Sequence, residues 1–212
     1  MKNLCVTLLL LAMCCAGCRN LYYSAWEKLG KEKRDLLQSK VQQVRDDQGA
    51  AAQQLKDALT RLQELYGAQG TDLEKTYKKL QSDYESSVSK AATVRSRIRQ
   101  MDQIAHDLFA EWQKEADSIG TASLRQSSLD KLEQTRTRYA ALYTTTTRAE
   151  QNIEPVLSKF HDYVLYLKHN LNAQAMGTIQ TEARSIQGDI NKLIADMHAS
   201  IQEADTFIKA TK

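Results

Sequence analysis

Cys18 is the residue whose chemistry is most explicit. It follows Ala16 and Gly17, and a cysteine closing a run of small residues is the acceptor pattern of bacterial lipid anchoring, in which the thiol is acylated and becomes the mature N-terminus. Ahead of it, Lys2 and the leucine-rich stretch from Leu4 to Cys15 read as a secretory leader. The stretch falls short of the about 20 apolar residues that a permanent membrane span needs. Cys15 stands where such a box usually carries leucine, and it is the alternative acceptor. Met13 and Cys14 before it make a poor small-residue cleavage site, which favours Cys18. The plainer reading of the same residues is an ordinary cleaved secretory signal.

The other three cysteines, Cys5, Cys14 and Cys15, all lie in this leader. Cleavage before Cys18 then leaves one acylated cysteine, so the mature chain is expected to form no disulfide and to hold no cysteine-ligated metal. A chain of this length can bury enough apolar surface to fold without a disulfide framework. The histidines are next. A di-metal site in a helical bundle needs Glu-x-x-His, which sets both ligands on one face a turn apart. None of His106, His161, His169 and His198 has a glutamate three places earlier; Gln103, Ser158, Tyr166 and Ala195 stand there instead. His106-Asp107 and His161-Asp162 are sequence neighbours, which point to different sides of a helix and cannot relay protons to one another. No phosphate-binding glycine loop, His-Glu-x-x-His helix or nucleophile elbow occurs. No catalytic residue, metal or cofactor is therefore expected, and the chain reads as a non-enzyme. The run Thr144-Thr145-Thr146-Thr147 is unusual for a helix, because β-branched side chains lose rotamer freedom there. It reads either as a weak helical stretch with Thr146 facing inward or as a flexible contact face.

The elements that must carry these residues are helices. After Cys18 there is one proline, Pro155, few glycines, and an abundance of Ala, Leu, Gln, Glu, Lys and Arg. From Leu73 the positions Leu73, Tyr77, Leu80, Tyr84, Ser87, Ala91, Val94, Ile98, Met101, Ala105, Leu108 and Trp112 step by four and three without a slip, which is a heptad seam. An earlier, less pure seam runs Tyr22, Trp26, Leu29, Leu36, Val44, Leu55, Leu62 and Leu65, with polar Lys33, Lys40 and Gln48 in the stripe. A third runs from Leu124 through Leu132, Thr135, Tyr139, Leu142, Thr146, Ala149, Ile153, Val156, Phe160, Val164 and Leu167 to Leu171. A fourth takes Met176, Ile179, Ala183, Ile186, Ile190, Leu193, Met197, Ile201, Ala204 and Ile208.

Helix boundaries are expected at Tyr66–Thr71, at Ser118–Thr121 and around Asn170–Asn172, with Thr71 and Glu74 forming a capping box. The third seam keeps phase through Pro155, which predicts a kink and not a loop. The expected fold class is all-α: an elongated antiparallel four-helix bundle or coiled coil of long helices, the first three spanning roughly 65 to 75 Å each. The expected organisation is a signal peptide at 1–17, a lipidated N-terminus and short tether at 18–20, and a single helical domain over 21–212. Up-and-down order would put both chain ends at the membrane, where Tyr22, Tyr23 and Trp26 either touch headgroups or pack in the core.

Lys and Arg number 29 against 26 Asp and Glu, and losing the leader removes only Lys2, so the mature chain is close to neutral. The clusters Arg95, Arg97, Arg99 and Arg136, Arg138, Arg148 read as solvated helix faces, and nucleic acid is not an expected partner. The stretch from Tyr23 to Asp35, with Glu154-Pro155-Val156-Leu157 and the stretch from Leu165 to Ala173, resembles a family of proteobacterial lipoproteins catalogued as domain of unknown function 2959. The resemblance spans the mature chain and implies an exported, lipid-anchored helical protein, with no catalytic residues to carry over. The polar segment Lys168, His169, Asn170 and Asn172 is the candidate partner contact, with helix capping as its competing explanation. Arg19, where aspartate would mark inner-membrane retention, points to the outer membrane with the body facing the periplasm, held by acyl chains on Cys18. The functions these features admit are a structural or adaptor role, through an envelope protein or self-association, or a module binding lipid or another apolar ligand.

Overall fold

The computed structural model describes residues 32–65, 71–170 and 173–211, with side chains throughout except at 71–72, 173–176 and 178–183. The leader, Cys18, Tyr22, Tyr23, Trp26 and Asn172 lie outside the described residues. Five helical segments occupy nearly all of what is described: α1 (Lys33–Leu65), α2 (Thr71–Ser118), α3 (Ala122–Gln151), α4 (Ile153–His169) and α5 (Ala173–Ala210). Three of the breaks between them fall at the expected boundary stretches to within one residue, and a fourth falls at Asn152.

α3 and α4 form one rod interrupted at Asn152 alone. Pro155 causes the interruption. It has no N–H to give Gln151, and its ring crowds that carbonyl, so regular helix cannot pass through. The Asn152 N–H still reaches back to the Arg148 carbonyl, and Pro155 falls in the first turn of α4, where a missing N–H costs little.

The rods pack antiparallel. Lys33 bonds Glu111, Arg97 bonds Asp47 and Gln54 bonds Asp83, so numbering falls along α2 as it rises along α1. α5 runs opposite α1 through Arg45–Asp205, and opposite the third rod through Thr146–Ser200, Asn152–Asp196 and Lys159–Asp189. α1 packs on α2 and α5, while α3 and α4 pack on α2 and α5, so α1 lies diagonally across from the third rod. This is an antiparallel four-helix bundle in up-and-down order. At about 1.5 Å per residue α2 is roughly 72 Å long.

Every described position of the second seam is buried except Tyr84 and Trp112, which are half-buried against the core. Leu37, Val41, Ala58, Ile104, Phe109 and Phe207 are also buried, although they fall outside the stripes. The physical reason is that each rod touches two neighbours, so its apolar face is wider than the two-stranded seam used to find it. Burying each large side chain of this kind contributes about 1.5–3 kcal/mol. Three seam expectations need correction. Leu124, in the first turn of α3, is 62% exposed. Thr135 is only half-buried. Ile201 of the fourth seam is likewise only half-buried. The Thr71 side chain of the expected capping box lies outside the described residues, and the Glu74 carboxylate meets Lys78 one turn on at 2.7 Å.

The polar residues in the first stripe are taken inward. Lys40 is half-buried and donates to Gln43 and Gln100; burial first, and then the Arg97 charge, lowers its pKa from the ordinary lysine value. Gln48 is 1% exposed.

Candidate functional site

Three places concentrate polar or exposed groups: the bundle's midpoint, the far end of α4, and the end where α1 begins.

At the midpoint, Thr146 and Ser200 are fully buried and share a hydrogen bond of 2.8 Å between their hydroxyls. Gln48 is at the same level, since a Cβ at Gly49 would lie 4.0 Å from Ile201. Neither polar atom of its amide has a hydrogen-bond partner among the described residues, nor does the Thr147 hydroxyl. The threonine run is helical: Thr144 donates to the Ala140 carbonyl and Thr145 to that of Leu142, bonds that compensate β-branched hydroxyls inside a helix. Thr146 faces the core as its seam position implies.

Asp102 was not among the sequence candidates, yet it gathers two of them. It accepts from the Tyr139 hydroxyl at 3.1 Å and lies 3.6 Å from His106 Nε2 one turn on. Sequence spacing carries that signal at i,i+4, whereas the adjacent Asp107 is not the ion-pair partner of His106. Burial first, and then the Asp102 charge, pushes the Tyr139 phenol well above the usual tyrosine range, so it stays protonated and serves as a donor to Asp102. A phenol held this way is a poor nucleophile. His161 packs against Tyr84, with ring centroids 5.5 Å apart. Among the described residues no three His, Cys, Asp or Glu side chains are grouped so as to hold a metal ion.

The candidate contact segment lies at the far end of the bundle. Lys168 and His169 are exposed in the last turn of α4. Asn170 ends the helix, its side chain donating to the Tyr166 carbonyl at 2.8 Å and its N–H to that of Leu167 at 3.2 Å, so capping accounts for it. Beside them Leu165 and Tyr166 are 51% and 38% exposed. The stripes missed this pair, since both positions lie off the seam.

At the opposite end α1 starts and α5 stops while the α2–α3 hairpin continues. The four rods there leave a cleft of about 340 Å³, floored by Leu37, Leu108, Trp112 and Phe207. Trp112 is fixed by its indole N–H, which donates to Ser128 at 2.9 Å. Lys131, Gln134, Thr135 and Arg138 line one side from a single face of α3, and Arg34 faces in from α1. An adjoining groove also takes in Glu32, Glu111 and Glu115; Glu111 is bonded to Lys33 at 2.6 Å.

The fold thus defines a bundle of long antiparallel helices whose described helices are not apolar enough to cross a membrane. The chain belongs to the protein family of unknown function DUF2959, whose model matches residues 22–211. Comparison with curated proteins and with solved structures gives no match.

Proposed function

We propose that this chain is a lipid-anchored envelope protein of the bacterial outer membrane, facing the periplasm, with a structural or adaptor role. The observation that carries the reading is Cys18, closing the small-residue box Ala16-Gly17-Cys18 behind an apolar leader and ahead of a helical body. The body suits the role. Its core is filled by its own seams, as expected of a spacer and not of an enzyme built round a deep pocket. Its outer faces are polar and crossed by ion pairs such as Arg95–Glu150 and Arg97–Asp47.

Anchored through Cys18, the bundle presents its opposite end furthest from the bilayer. Leu165 and Tyr166, exposed beside Lys168 and His169, then form the surface best placed to meet another envelope component or a second copy of the chain. The second reading is a module for lipid or another apolar ligand. The cleft beside Trp112 and Phe207 favours it: of the small or polar seam positions that could leave room for a ligand, Thr135 lines that cleft, while Ser87, Ala91, Thr146 and Ala149 are buried in the core.

Photo-crosslinking residues placed in living cells at Leu165, Tyr166 and His169, and at matched positions along the other outer faces, test the adaptor reading. One protein captured from the far end of α4 supports it and identifies the partner. Uniformly absent protein adducts on every face would overturn it.

A further inference from the structure

We infer that the cleft where α1 begins binds an anionic phospholipid, its phosphate held by Lys131 and Arg138 and the first carbons of its acyl chains resting on Leu37, Trp112 and Phe207. The inference rests on the proposed lipid anchor.

Position is the first argument. Residue 32 opens the described chain at this end, and only thirteen residues, 19–31, separate it from Cys18. Fully extended, they reach about 50 Å. The end holding the cleft is therefore the one an acyl anchor keeps nearest the bilayer, while the other end stands a further roughly 50 Å away along α1 alone.

Charge is the second argument. The cleft is lined by Arg34, Lys131 and Arg138, and no carboxylate lines it among the described residues. Lys131 and Arg138 make no ion pair there with any described residue, and they flank Thr135 on one α3 face, two turns apart. Arg34 meets Glu32 only at 4.0 Å, with both side chains largely exposed. Arg34 and Lys131 also line the adjoining groove with Glu32, Glu111 and Glu115; Glu111 is bonded to Lys33, and none of the three acids lines the cleft itself, where Arg138 stands apart from them. A phosphodiester accepts hydrogen bonds from both guanidinium and ammonium groups.

Shape is the third. A space of about 340 Å³ with an apolar floor and a cationic rim suits a group that is anionic at one end and apolar at the other.

The test uses full-length protein extracted from membranes and titrated with phosphatidylglycerol or phosphatidylcholine in detergent, with retained lipid read by native mass spectrometry. The result expected is one phosphatidylglycerol per chain, held about tenfold or more tightly than phosphatidylcholine, and a comparable loss in the Lys131→Glu/Arg138→Glu variant, given about 1 kcal/mol for each cation near an anionic headgroup. Both substitutions are on exposed side chains, so the thermal melting curve should be unchanged. A photo-crosslinker at Thr135 should capture lipid in cells. Equal retention of the two lipids, full retention by the double variant, displacement by inorganic phosphate at lipid-like concentration, or Thr135 adducts to residues 21–31 or to a second copy would each overturn the inference. The mass of the mature N-terminal peptide in the same preparation separates the two claims. Acylated Cys18 without phosphatidylglycerol binding removes the cleft alone, and binding without acylation removes the anchor alone.

Discussion

At mid-bundle Val44, Met101, Leu142 and Met197 are each 1% exposed or less. Leu124, on the same seam as Leu142, is 62% exposed. Leu142 lies in an unbroken four-and-three step from Leu132 to Ala149, whereas Leu124 is eight residues ahead of Leu132 with only Ser128 between, so the seam is weaker at the hairpin tip. A heptad residue is buried only where α1, α2, the third rod and α5 overlap. Past Lys33 and Ala210, where the described α1 begins and α5 ends, the α2–α3 hairpin continues with Leu124 exposed, and the cleft lies beside Trp112. The lesson is that the pattern specifies which face of a helix turns inward, while helix length decides whether anything is there to meet it.

The sharpest way to break this contrast is to truncate one residue in each region. Phe160 is 1% exposed and packs edge-on against Tyr84 with centroids 5.5 Å apart. Phe160→Ala should cost about 3–5 kcal/mol through lost burial and the cavity left behind. Leu124→Ala should stay within about 0.5 kcal/mol. Denaturant unfolding followed by circular dichroism measures both, and a large loss from Leu124→Ala would mean that the hairpin tip is covered.

The polar layer at mid-bundle gives the next largest effect. Thr146→Val removes the partner of a fully buried Ser200 hydroxyl and should cost about 1–3 kcal/mol, part of which the Thr146→Val/Ser200→Ala pair should restore. Gln48→Leu relieves a buried amide with no described partner and should raise stability by about 1 kcal/mol or more. A drop instead would show that the amide contributes to stability, consistent with the way single buried polar residues fix register in coiled coils.

Tyr139 sits where the two regions meet, edge-to-face with Phe109 and Phe207 and bonded to Asp102. Its pKa is raised in the fold, so the folded state keeps a proton that the unfolded chain gives up. Its contribution is fully present below the ordinary tyrosine value of about 10 and is lost as pH rises above it. Stability should therefore fall above about pH 10, and less steeply in Tyr139→Phe; equal slopes would show that the phenol is not shielded.

Much of the architecture was legible in spacing. Continuous four-and-three steps from Leu73 to Trp112 sufficed to place α2, and glycine-rich breaks to place its start. Pro155 marked the break in the third rod because its missing N–H acts locally, within one turn. Ile104, Phe109 and Phe207 were missed because a single stripe describes contact with one neighbour and these face a second. Spacing along one helix carries no information about where a different helix stops, so the cleft could not be read from it. Asp102 went unnoticed for a related reason, since its link to Tyr139 joins residues on separate rods. Of the candidate contact residues, Asn170 is explained by capping, and the exposed pair Leu165 and Tyr166 emerged only once the outer face of α4 was fixed.

The most direct test of the anchored-bundle account is the mass of the mature N-terminal peptide from protein made in its own cells. The account predicts a peptide beginning at Cys18 that carries covalent acyl chains, and loss of that species in Cys18→Ala. A mature chain that begins elsewhere, or a Cys18 with a free thiol, would contradict it.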